Sequence, residues 1–295
     1  VQTATSIARL SIGVGLTVMA CKGLAWWLTG SAALYSDALE TVVNVAASLM
    51  ALYALRVADR PADREHPFGH AKAEFLAAGG EGALIVAAAL SIFQHAWVTW
   101  LHPHALDTPL LGLALNMTAS VINLVWAQVL RRTAAATRSP ALAADSRHLM
   151  ADVATGAGVA IGVALVVVTG KLWLDPVVAA ATAIYVLWSG LRLINASVNA
   201  LLDEAPNDAT MDQIRAIIRA NAKGAQEAHD LRTRQAGRLT FLEFHLVVPG
   251  DMRVAEAHEI CDRIEAAFRR DMDHLIVNIH VEPEHKAKHE GVVVV

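Results

Sequence analysis

The sequence predicts a helical membrane protein: a six-transmembrane-helix bundle followed by a cytosolic α+β domain of αββαβ order. Three observations carry this. The 295 residues are 55% hydrophobic and only 18% charged, with a mean hydropathy of +0.41, whereas soluble chains carry nearer a quarter charged residues. Six apolar runs reach the roughly 20 residues needed to cross a bilayer. After Asp203 the apolar runs stop, and mixed polar and apolar residues continue to the end.

The first run spans about Ile7 to Leu28 and ends on Trp26 and Trp27, residue types suited to an interface. It is too long for a cleaved signal peptide and lacks an Ala-x-Ala-like exit. Lys22 within it is expected to snorkel to that interface. Thr29-Gly30-Ser31 forms a short turn, and the second run continues to about Leu55. The third covers Phe75–Leu101, the fourth Pro109–Leu130, the fifth Ala141–Thr169 and the sixth Pro176–Leu202. Asp175-Pro176 reads as a helix start, with Asp as N-cap and Pro at the first helical position.

Loop charge orients the bundle. The second-to-third loop carries Arg56, Arg60, Arg64 and Lys72, and the fourth-to-fifth carries Arg131, Arg132 and Arg138. The opposite loops carry only Lys171. Positive residues stay inside, so both termini are expected in the cytoplasm.

Beyond Asp203, Asn207–Ala222 has a helical pattern with Ile214, Ile217 and Ile218 on one side. Glu227–Gln235 and Leu239–Val248 read as strands joined at Ala236-Gly237. Met252–Arg270 is again amphipathic, and Leu275–Val281 alternates as a last strand. The expected division is 1–203 transmembrane, 204–285 cytosolic metal-binding α+β domain, and 286–295 a flexible tail in which His285 and His289 bind metal at most loosely.

The chemistry centres on Ala33–Leu49, where Asp37, Glu40 and Asn44 stand at offsets of 0, 3 and 7. On a helix these lie along one stripe. Asp145, His148 and Asp152 repeat the offsets on the fifth run. An acid at mid-membrane costs about 3 kcal/mol, so Asp37, Glu40, Asp145 and Asp152 together cost roughly 10 kcal/mol unless something binds or protonates them. Glu40, Asn44, His148 and Asp152 supply four N/O donors from two helices, the coordination number Zn²⁺ favours. Two carboxylates balance the dication. His148 must lose its proton to ligate and can regain it on release, which couples metal to H⁺. Asp37 and Asp145, one turn earlier, are open to a supporting or proton-relay role, or to a water-filled cavity.

Two further groups invite a metal. Asp63, His66 and His70 in the second-to-third loop form a possible three-ligand set, against the alternative of solvated loop histidines. In the C-terminal region His229, His245, His258, His274 and His280 are dense for its size. His229, His245, His258 and His280, with Glu282, are read as a metal site rather than as scattered surface histidines.

The strings AWWLTGSAALYSDALE, DREHPFGHAKAEFLAA, HLMAD and HDLRTRQAG resemble the cation diffusion facilitator family, close to its bacterial zinc/proton antiporters. The resemblance runs over nearly the whole chain. It implies six transmembrane helices, a metallochaperone-like cytosolic domain and a homodimer alternating between inward- and outward-facing states. It places transport ligands on Glu40, Asn44, His148 and Asp152, and a loop zinc site on Asp63, His66 and His70. A binuclear cytosolic site falls on His229, His245, His258, His280 and Glu282, and a lysine–aspartate interlock on Lys72 and Asp203. One departure matters: the zinc antiporters carry two aspartates where Glu40 and Asn44 stand. Losing a carboxylate weakens a dication site in low dielectric, and oxygen donors suit Mn²⁺ or Fe²⁺ better than thiolate would.

The expected function is proton-coupled efflux of a divalent transition metal, Zn²⁺ first, with Fe²⁺, Mn²⁺, Co²⁺ or Cd²⁺ as alternative main cargoes. A membrane-anchored metal sensor is the other alternative, but it leaves the intramembrane acids unexplained. A channel fits less well, because ring-like filters come from repeated subunits. No His-Glu-x-x-His, Gly-x-Ser-x-Gly or G-x-x-x-x-G-K-[ST] motif occurs, so no enzymatic activity, ATP-driven pumping or organic cofactor is expected. The net charge of −4 and the absence of a basic stripe argue against a nucleic-acid partner. Cys21 and Cys261, the two cysteines, build neither a disulfide framework nor a thiolate site. The partners are metal ions, protons, lipid and a second copy of the chain.

Overall fold

The computed structural model describes residues 2–103, 105–137, 140–237, 239–289 and 292–293. Within these, the side chains of 2–9, 51, 55, 134, 136–137, 140–145, 147–148 and 293 lie outside the description. Six long helices come first: α1 (Gln2–Thr29), α2 (Ala32–Ala58), α3 (Ala73–Leu101), α4 (Pro109–Thr137), α5 (Pro140–Thr169) and α6 (Leu174–Leu201). Each contains a segment of at least 20 residues apolar enough to cross a membrane. Then follow α7 (Asp208–Asn221), β1 (Glu227–Ala236), β2 (Leu239–Val248), α8 (Val254–Asp271), β3 (Leu275–Pro283), a 3₁₀ turn (Glu284–Lys286) and β4 (Val292–Val293).

The chain forms two compact units, Val1–Tyr53 with Ala77–Asn195, and Ala54–Leu76 with Ala196–Val295. The first is built inside out relative to a water-soluble domain. Trp27, Leu90, Trp97, Leu110, Ile161, Val168 and Trp188 face outward, while Lys22, Asp37, Asn116, Asn123 and Asp152 are buried. Where lipid replaces water, apolar side chains face out and polar groups must satisfy one another within. Glycines let helices touch: a Cβ on Gly82 of α3 would lie 3.0 Å from the Gly190 carbonyl of α6, and one on Gly190 would lie 3.1 Å from the Gly82 carbonyl.

Two local expectations are corrected. Asp175 does not precede α6 but sits in its first turn, and its carboxylate caps the N-terminus of α2. It accepts from Ser31 Oγ (2.5 Å), Ala32 N (2.6 Å) and Ala33 N (3.3 Å). A buried helix start has orphan N–H groups and a positive dipole end, so a carboxylate from another helix satisfies both. Lys22 does not snorkel. It is 1% exposed and its Nζ lies 2.8 Å from Asp37 Oδ1, because its position on α1 points inward, where only a partnered ammonium is tolerable.

The second unit is an open-faced sheet of order β3-β2-β1-β4. β1 and β2 form an antiparallel hairpin turning at Gly237, which takes a φ of +55°. β3 runs parallel to β2, as its connection through α8 allows. Alternation along β2 sends Leu242, Phe244, Leu246 and Val248 into a core with Ile214 and Ile218 of α7 and Ile260, Ile264 and Phe268 of α8. Asn207 starts α7, its side chain accepting from Thr210 N at 2.9 Å. In the stretch 286–295, read from sequence as a flexible tail, Val292 and Val293 pair with Ala228 and Glu227.

The segment linking α2 to α3 belongs to this unit. Phe68 packs edge-on against Phe241 of β2 (5.8 Å), and the Arg234 guanidinium lies over both rings at 4.4 and 4.6 Å. Lys72 donates to Asp203 at 2.7 Å, the interlock the resemblance implied.

Candidate metal centres

On α2, Asp37, Glu40 and Asn44 fall along one face, as the spacing requires. Asn44 Nδ2 donates to Asp152 Oδ2 on α5 at 2.8 Å, and Asp152 is 3% exposed. Glu40 Oε2 is buried with no hydrogen-bond partner among the described residues. Cavities of about 50 and 60 Å³ flank this point, both lined by Asn44 and Asp152 and the second also by Glu40. Three of the four predicted donors are thus gathered inside the bundle. His148 stands one helical turn before Asp152 on α5, and its side chain, like that of Asp145, lies outside the described ones.

Asp37 is engaged differently. Besides Lys22, it accepts from Asn116 Nδ2 of α4 at 2.5 Å. The sequence reading left Lys22 and Asn116 out of the site. The signal was available, since a lysine and an aspartate in neighbouring spans each demand an opposite charge.

The loop set assembles as its spacing suggested. Asp63 Oδ1 lies 3.3 Å from His66 Nδ1 and Asp63 Oδ2 lies 3.4 Å from His70 Nε2, with one donor atom from each residue within 4.8 Å of the others. The backbone makes this local. Asp63 Oδ1 accepts from the N–H groups of His66 (2.7 Å) and Glu65 (3.0 Å), and Gly69, at a φ of +82°, lets the chain turn His70 back. The His66 backbone N–H, aided by that of Glu65, holds the Asp63 carboxyl below the usual carboxylate range.

In the C-terminal unit, sheet register sets His229, His245 and His280 side by side across three strands. Their side chains share the sheet face turned away from α7 and α8. Glu282 binds the row together: its oxygens lie 3.3 Å from His229 Nε2, 3.4 Å from His245 Nδ1 and 3.8 Å from His280 Nε2. Both His229 nitrogens and His245 Nδ1 are buried and lack a hydrogen bond among the described residues. Buried imidazole nitrogens left open in this way are the donor chemistry a transition metal takes.

Two carboxylates were missed. A bulge between His229 and Arg232, with Asp230 at a φ of +51°, brings Asp230 to 3.9 Å from His245. Asp230 joins His229 and His245 as a possible ligand set, and its hydrogen bond from Lys288 holds its carboxyl below the usual range. Glu227, also buried, lies 3.1 Å from His229 Nδ1. His258 is not brought to the row. It is exposed on α8, 3.7 Å from Asp262, and α8 covers the opposite face of the sheet.

Acids buried in a six-helix bundle, joined in one chain to an α+β unit with an imidazole row, define a membrane protein built to move cations. The chain matches the cation efflux transmembrane domain over residues 8–202 and the cation efflux protein cytoplasmic domain over residues 206–284. It is 42% identical over 282 residues to the uncharacterized transporter sll1263 of Synechocystis sp., covering 96% of this chain and 91% of that one. It is 34% identical over 279 residues to the cation-efflux pump FieF of Pectobacterium atrosepticum, covering 95% and 92%. A solved structure of CzrB in a zinc form, named for zinc transport, is 47% identical and covers 29% of this chain and 98% of that one, with a TM-score of 0.28. The protein belongs to the cation efflux, or cation diffusion facilitator, family and is an integral membrane cation-efflux transporter.

Proposed function

We propose that the protein exports a divalent transition metal, Zn²⁺ first, from the cytoplasm in exchange for protons, working as a homodimer. The observation that supports this most is the meeting of Asn44 and Asp152 beside the unsatisfied Glu40 oxygen inside the bundle. Buried carboxylate oxygens of this kind are stable only against a cation or a proton. Either can therefore hold the site, and each displaces the other. Glu40, Asn44, His148 and Asp152 form the transport site. Metal binds from the cytosolic side, where His148 gives up its proton, and protons from outside evict it.

Zinc as cargo is supported by the imidazole of the ligand set; the oxygen-rich remainder keeps Fe²⁺, Mn²⁺, Co²⁺ and Cd²⁺ as alternatives. The chain divides at 203/204, with residues 204–285 as the cytosolic domain and both termini on that side. The loop ligands Asp63, His66 and His70 and the row of His229, His245, His280 and Glu282 bind metal from the cytoplasm and regulate rather than carry. For His258 to join that row, a second copy of the chain has to bring it.

The test is reconstitution in vesicles with a pH dye inside and each metal supplied outside in turn. Metal uptake with opposite proton movement supports exchange, and uptake without proton movement refutes it. D152A and H148A proteins that transport at the parental rate would refute the site. A folded protein that binds metal but moves none would favour the membrane-anchored sensor.

A further inference from the structure

The pair formed by Lys22 and Asp37 has no place in the cycle above, yet it lies beside the transport site. Lys22 is 1% exposed in the middle of an apolar helix. Its ammonium meets Asp37 Oδ1 at 2.8 Å, and Asn116 Nδ2 takes Oδ2 at 2.5 Å. Both oxygens of Asp37 are therefore occupied. Gly156 of α5 leaves room for this: a Cβ there would stand 3.7 Å from each Asp37 oxygen and 2.9 Å from Ser120 Oγ. Glu40 follows Asp37 by one helical turn on the same face. Glu40 and Asp152 line one cavity, and Lys22, Asp37 and Asp152 are each at most 3% exposed. Among the described residues these four charged groups lie in one part of the bundle.

We propose that Lys22 is a resident counter-charge that sets the valence of the transport site: by cancelling Asp37 it leaves two negative charges, on Glu40 and Asp152, for one divalent cargo. The inference rests on Glu40 and Asp152 being cargo ligands. With the metal bound, the charged groups among the described residues (three carboxylates and one ammonium) and the dication sum to zero. Without Lys22 the loaded site is left at −1, and without Asp37 at +1. In a low-dielectric interior an uncompensated unit charge weighs heavily on ion affinity. Lys22 thereby acts as a positioning residue for specificity, acting through Asp37 without touching the cargo.

The two members of the pair therefore have opposite effects when removed singly and little effect when removed together. A merely structural pair joining α1 to α2 would lower the amount of folded protein in both single variants and would not move KM in opposite directions. The experiment measures KM and kcat for Zn²⁺ in proteoliposomes of the full-length K22M, D37N and K22M/D37N proteins. Expected are a KM about tenfold lower with a slower kcat for K22M, a KM at least tenfold higher for D37N, and a KM within about threefold of the parent for the double variant. Single variants that shift KM in the same direction, or not at all, overturn the proposal. If one single variant is not recovered folded, the other decides: a tenfold KM shift in its expected direction supports the proposal, and an unmoved KM or a shift the other way overturns it. D152A measured in parallel keeps the two claims apart. If D152A retains the parental KM, the transport-site assignment fails whatever Lys22 does.

Discussion

Asn44 donates its side-chain amide to Asp152 across 108 residues of sequence, at 2.8 Å. Each side chain thereby orients the other. As the ligands proposed above, Asp152 would exchange this neutral donor for a metal, and Asn44 would offer the metal only a dipole.

Replacing that amide by a carboxylate is expected to tighten zinc binding. N44D loses the hydrogen bond and adds a charge that is repelled by Asp152 until a dication separates them. A drop of about tenfold in Kd for Zn²⁺, roughly 1.4 kcal/mol, is expected by calorimetry on purified protein. Unchanged affinity would show that position 44 is not a ligand.

The loop set is expected to bind one metal ion per protomer, with H70A or D63N removing it. Asp63 is held ionised by the His66 and Glu65 backbone N–H groups, so its depressed pKa keeps it charged through mild acidification. Loss of binding between about pH 7.5 and 5.5 then arises from the imidazoles, which ligate only when unprotonated. Zinc titration at the two pH values checks this; a site equally tight at both would point away from histidine ligation.

Along the sheet, H245A and H280A are expected to blunt activation at low metal while sparing transport at saturating metal. The readout is the metal concentration giving half-maximal rate, with a shift of about threefold or more expected for H245A, whose ring touches both His229 and His280. An unmoved half-maximal concentration would remove the regulatory role from this row.

At the other end of α2, D175A leaves the Ser31, Ala32 and Ala33 donors without their acceptor. A buried cap accepting several bonds is worth about 1–2 kcal/mol. A lower Tm in detergent is therefore expected. Parental stability would show that water or Ser31 replaces the carboxylate at no cost.

Much of this molecule is local and could be read directly. The six spans follow from runs of apolar residues, because a bilayer demands that length whatever surrounds it. The β1–β2 hairpin follows from alternation and a turn at Gly237. The Asp63–His66–His70 set follows from offsets within a loop of a few residues, closed by its own backbone. Register likewise carried His229, His245 and His280 into one row once the three strands were assigned.

What the linear order did not reveal depends on which faces of distant helices and strands meet. Lys22 looks able to reach an interface until α1 turns it inward onto Asp37. Asp175 looks like the cap of its own helix until the start of α2 presents the Ser31 hydroxyl and two N–H groups to it. Asp230 joins the histidine row only because a bulge turns it there, and His258 leaves the row because α8 covers the other side of the sheet. Sequence by itself determined that charge had to be buried in this membrane protein, since composition and spacing are fixed along the chain. Tertiary packing alone decided which charges pair with one another, because that choice depends on ångström-scale distances between residues far apart in sequence.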